Sequence, residues 1–121
     1  MIKDIIKIGL LFIIIDSFYL YSMKDNFNDL VKSIQGSDLK LEILPTIFCY
    51  LFLIGSIYYF LIYKKGNNLD AFLLGFFIYG VYETTNLAIF KKWNYKIALI
   101  DTLWGGILFM TTFYIYNNFL K

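Results

Sequence analysis

Residues Ala71–Phe90 read AFLLGFFIYGVYETTNLAIF, a stretch of twenty in which Glu83 is the only formal charge. A helix of that length rises about 30 Å, the thickness of a bilayer's hydrocarbon core. Three more stretches have the same character, at about residues 5–23, 43–63 and 97–116. Together they predict an all-α fold, a four-helix transmembrane bundle in which residues 1–121 form a single integral, multi-pass membrane domain.

Composition agrees with that reading. Of 121 residues 60% are hydrophobic, which leaves too few polar side chains to coat a soluble domain of this size. The net charge of +2 is small and its lysines lie between the apolar runs, so no nucleic-acid partner is expected. Histidine is absent and Cys49 is the sole cysteine, which argues against zinc, haem, a disulfide framework and a histidine-dependent triad. No metal and no cofactor are expected. Cys49 falls inside an apolar run and reads as a small buried or lipid-facing hydrophobe.

The first span has the apolar core of a signal peptide, but no small-x-small cleavage site follows and Phe18, Tyr19, Leu20 and Tyr21 continue the run, so a retained helix is expected. Spans two and three are joined by residues 64–70 and must form a hairpin, and spans three and four by residues 91–96. An even number of spans puts both ends on one side. In the longer first link Phe27, Leu30, Val31 and Ile34 recur at i, i+3, i+4 and i+7, with Gly36 as a helix stop. This predicts a short amphipathic interfacial helix between spans one and two. Pro45 marks the first turn of the second span or bends a helix begun at Ser37 or Asp38. Lys3, Lys7, Lys64, Lys65 and Lys121 on one side balance Lys24, Lys32, Lys40, Lys91, Lys92 and Lys96 on the other, so orientation is not encoded.

Three carboxylates interrupt the spans: Asp16, Glu83 and Asp101. Each costs roughly 2.5–3.5 kcal/mol in hydrocarbon, so the fold must shelter them from lipid. Counted from the span ends at about 1.5 Å per residue, all three sit roughly 6–11 Å below the same interface. On the third helix Gly80, Glu83, Asn86 and Leu87 share a face flanked by Tyr79, and on the fourth Asp101, Trp104, Gly105 and Thr112 share a stripe. Gly80, Thr84 and Ala88 form a small-xxx-small run suited to close helix approach. The expected polar cluster is Asp16, Glu83, Asn86 and Asp101, a site for a proton, a cation or a small polar solute. Tyr79 and Tyr82 are placed to donate to an acid, whereas Tyr58, Tyr59, Tyr63, Tyr95, Tyr114 and Tyr116 read as an interfacial belt. The plainer alternative is that the polar residues only bond helices together, which fits Asn86, Thr84 and Thr85 better than the acids, because asparagine would bridge helices at lower cost.

The segments Tyr82-Glu83-Thr84-Thr85-Asn86-Leu87-Ala88, Lys92-Trp93 and Ile100-Asp101-Thr102-Leu103-Trp104-Gly105 resemble the small membrane proteins grouped as domain of unknown function 2177. Asp16 followed by aromatic residues, and Pro45 opening the second span, extend the resemblance over nearly the full length. Glu83 stands where that family usually has Asp, and Lys92 where it has Gly before Trp93. The resemblance implies four spans with Asp16, Glu83, Thr85, Asn86, Trp93, Asp101, Trp104 and Gly105 as motif residues, and implies no activity.

Three functional readings fit the residues. One is a small carrier or channel-like component, working alone, as a homo-oligomer or with a partner membrane protein. Another is a non-catalytic membrane subunit or organiser. The last is an enzyme acting on lipid or isoprenoid headgroups, with the acids as general acid, base or magnesium ligands.

Overall fold

The computed structural model describes all 121 residues and contains only helices. α1 spans Ile2–Gln35, α2 Ile43–Tyr63, α3 Asn68–Ile89 and α4 Tyr95–Leu120, and each is long and apolar enough to cross a membrane. The last turns of α2 and α4, Tyr58–Tyr63 and Tyr116–Leu120, are wound as π-helix. Only 21 of 121 residues are buried inside the protein, and large apolar side chains such as Phe18, Phe52, Phe77 and Phe119 lie fully outward. In water that surface would aggregate; in a bilayer it is the lipid contact. The chain is a multi-pass membrane protein.

Local chemistry sets the helix ends. Asn67 caps α3 in a reciprocal box with Asp70, each side chain accepting the other's backbone N–H at 2.8 and 3.0 Å. Asn94 accepts from Ile97 N–H at 3.0 Å and starts α4. Pro45 falls in the first turn of α2, where its missing N–H costs nothing. Ser37 and Asp38 do not cap that helix. Gln35 donates to both their carbonyls, and Asp38 faces Lys32 at 3.8 Å.

The amphipathic stretch is helical but is not a separate helix. No glycine or proline stands between Met23 and Gln35, so α1 runs unbroken until Gly36 takes the left-handed conformation, φ 78°, and ends it. At about 1.5 Å per residue α1 is ~50 Å long, well beyond the hydrocarbon thickness. Its charged part, from Lys24 onward, therefore stands outside the membrane core. The following link folds back on this extension, with Leu39 N–H donating to Asn28 Oδ1 at 2.8 Å.

α3 and α4 pack most closely, and they meet through different small residues from those the spacing favoured. Gly75 lies against Gly105, and Gly106 against the Phe72 ring. Thr84 and Ala88 instead face outward, and Gly80 only brushes Thr102. α1 packs on α4, while α2 leans chiefly on α1. Ile8, Phe12, Ile57, Leu108, Phe109 and Tyr116 form the apolar core away from the acids. Tyr116 is thus buried at 1% exposure and does not belong to the interfacial belt; its hydroxyl donates to Asp4 and ties the two chain ends together.

Candidate functional site

Each acid is sheltered, and each is met by an aromatic donor. Asp16, on α1, is 5% exposed and has both oxygens engaged: Tyr50 O–H donates to Oδ2 at 2.7 Å and Trp104 Nε1–H to Oδ1 at 3.0 Å. Three helices are joined at that one carboxylate. Asp101 accepts from Tyr19 O–H on Oδ1 at 2.9 Å, and Glu83 accepts from Trp93 Nε1–H on Oε1 at 2.7 Å. The Tyr19 ring stacks on Trp104, with 4.6 Å between centroids and 6° between planes, so the Asp16 and Asp101 bonds share a common aromatic strut.

Charge-assisted bonds of this kind are about twice as strong as neutral ones, which offsets part of the cost of desolvating a carboxylate. The compensation is uneven. Glu83 is 1% exposed, yet Oε2 has no protein donor, and a second acid, Asp101, lines the same cavity. Two acids on one cavity wall leave room for a proton or for a positively charged donor. The acids do not gather into a group of three that would clasp a metal ion.

All three acids line one cavity of about 650 Å³, bounded by the α1 extension and the link after it, by α3 and by the start of α4. Exposed Lys24 and Asp25 line the same space and mark its watery end. Tyr19, Phe27, Tyr79, Tyr82 and Trp93 give it an aromatic wall.

Several residues stand elsewhere than the spacing suggested. Asn86 is buried on the Glu83 face but lies off the cavity wall, and its Nδ2 finds no acceptor. Thr85 is exposed and away from the cluster. Gly105 acts as a packing point, because a Cβ there would come 2.3 Å from Tyr79 Cγ. Tyr79 and Tyr82 line the cavity, but the tyrosines that donate to acids are Tyr19 and Tyr50. Both were within reach of the sequence: Tyr19 is i+3 from Asp16 on one helix face, and Tyr50 sits seven residues into α2, at the depth of Asp16. Trp93 and Trp104, motif residues of the resemblance, donate to Glu83 and Asp16.

No curated protein and no solved structure matches this chain. The family model described as predicted membrane protein (DUF2177) matches residues 1–116 of the 121, and its span takes in α1, α2, α3, most of α4 and every acid of the cluster. The chain therefore belongs to the DUF2177 family of predicted membrane proteins.

Proposed function

We propose that this protein is a small carrier or channel-like component whose carboxylate cavity takes up protons, cations or a small polar solute from the side of the first and third links. The observation that carries this reading is the pair Glu83 and Asp101: two acids on the wall of one cavity that reaches charged, exposed residues, with one oxygen of Glu83 buried without a donor. A cluster meant only to hold helices together would satisfy its own acceptors. Reconstitution into vesicles holding a pH-sensitive dye tests it, with imposed proton, sodium or potassium gradients. Flux should fall by roughly tenfold or more in Glu83→Gln and Asp101→Asn, since a neutral amide neither carries the proton nor attracts the cation. Wild-type protein with no acid-dependent flux of any kind refutes the reading.

A second reading, a non-catalytic subunit or organiser, is favoured by Asp16 alone. Its two oxygens are fully engaged between α1, α2 and α4, as a structural tie requires. Under that reading Asp16→Asn, Glu83→Gln and Asp101→Asn all change stability or assembly, and none changes flux.

A further inference from the structure

The walls of the cavity hold an unusual balance of hydrogen-bonding groups. The four aromatic donors around the acids are already committed: Tyr50 and Trp104 to Asp16, Tyr19 to Asp101, Trp93 to Glu83. Glu83 Oε2 is left open, Tyr79 and Tyr82 keep hydroxyls that donate to none of these acids, and the wall carries four acids, Asp16, Asp25, Glu83 and Asp101, against one lysine, Lys24. That charge balance disfavours anions and phosphates and favours a donor that carries positive charge.

Size and lining narrow the choice. A bare divalent cation wants about six or more oxygens at roughly 2.0–2.6 Å, and no group of three acids comes together here. A volume of about 650 Å³ falls within the usual range for small organic ligands, roughly 300–1,000 Å³. Rings of Tyr19, Phe27, Tyr82 and Trp93 border it, and aromatic faces attract weakly hydrated organic cations through the ring quadrupole. The one lysine on the wall, Lys24, does not neutralise the acids: its Nζ sits 4.7 Å from the centroid of the Tyr21 ring.

Building on the cavity as a ligand-handling site, we propose that its occupant is a small organic ammonium ion with an apolar body, held by Glu83 and Asp101 at the charged end and by the aromatic wall along its length. Glu83 and Asp101 supply the negative charge, and Lys24 at the rim opposes entry by like charge.

The protein carries its own reporter, because its only two tryptophans, Trp93 and Trp104, both bond to the acids of the site. Full-length protein in nanodiscs is titrated with benzyltrimethylammonium, whose charge does not vary with pH, and with benzyl alcohol as the neutral comparison. Tryptophan emission should change saturably with the cation, at an affinity roughly tenfold or more above that for the alcohol. Glu83→Gln should weaken cation binding about tenfold. Lys24→Gln should tighten it by about twofold to fivefold, a gain that misfolding cannot imitate. Equal affinity for the two probes, no saturable response, or unchanged cation affinity in both Glu83→Gln and Asp101→Asn would overturn the proposal. Ammonium binding without any flux in vesicles would sink the carrier reading and leave this one standing; proton flux without ammonium binding would do the reverse.

Discussion

Replacing Gly75 with alanine tests the crossing that brings Glu83 and Asp101 together. The new Cβ would lie 2.1 Å from the Gly105 carbonyl oxygen and 2.7 Å from Phe109 Cγ, the first contact about 0.9 Å inside the 3.0 Å that Cβ atoms keep from a neighbour. A phenyl ring can turn aside, but a helix carbonyl cannot, so α3 and α4 must separate or slide. Overpacking of this kind costs about 1–3 kcal/mol, and an immovable backbone obstacle puts the cost in the upper half. Gly55→Ala, on α2, is the matched comparison, because nothing lies within 4 Å of its Cβ. Both changes gain about 0.8–1 kcal/mol of intrinsic helix propensity, so their difference isolates the clash. Reversible unfolding in mixed micelles, followed by tryptophan emission, should place Gly75→Ala about 2–3 kcal/mol below Gly55→Ala. Equal stability to within about 0.5 kcal/mol would show that the Gly75–Gly105 contact is not formed, and the placement of the site would fall with it.

Asp16→Asn leaves one carbonyl oxygen for two donors, so either Tyr50 or Trp104 meets an NH₂ group, and unfolding should be easier by about 1–3 kcal/mol; an unchanged midpoint would mean the tie is not made. Asn86→Leu removes a buried Nδ2 that has no acceptor and keeps the volume similar, so stability should hold or rise by about 1 kcal/mol. A marked loss in the same unfolding assay would reveal a partner for that amide. Tyr116→Phe deletes the hydroxyl that joins α4 to Asp4, and should lower stability by about 1 kcal/mol while leaving tryptophan emission at the distant acids unaltered; a spectral change would argue that the two ends of the bundle are coupled.

The helices are legible because a bilayer demands long apolar runs, and the run expected at about 43–63 falls on the helix Ile43–Tyr63. The starts of α3 and α4 lie two or three residues earlier than hydropathy alone indicates, since Asn67 and Asn94 begin those helices through side-chain caps, which carry no hydrophobic signal. The continuity of α1 was also encoded, in the lack of any breaker before Gly36, but the change of periodicity after Met23 resembled a new element. Which small-residue stripe would be used was not legible. Gly80-Thr84-Ala88 has the small-xxx-small spacing, whereas the glycines in contact are split between helices, Gly75 on α3 and Gly105 and Gly106 as neighbours on α4, so spacing favours the run that is not used, and the tilt of one helix on the other selects the contact. The same holds for the tyrosines: depth and helix face reduce the candidates, but pairing Tyr50 with Asp16 depends on how α2 leans on α1.

The three acids share one depth and one cavity yet divide in role by their hydrogen bonds. Every acceptor atom of Asp16 that faces the interior is spoken for, and its partners come from two other helices, so its charge is used to fix the bundle. Glu83 and Asp101 receive one aromatic donor each and line the same cavity, so the fold shields them from lipid without completing their bonding. A buried acceptor left open costs about 1–3 kcal/mol or more, and hydrocarbon offers nothing to fill it. Asparagine or leucine at position 83 would have avoided that cost. Under the proposed carrier function the missing donor comes from outside the chain, which assigns the working end of the cluster to Glu83 and Asp101 and leaves Asp16 to hold the helices that carry them.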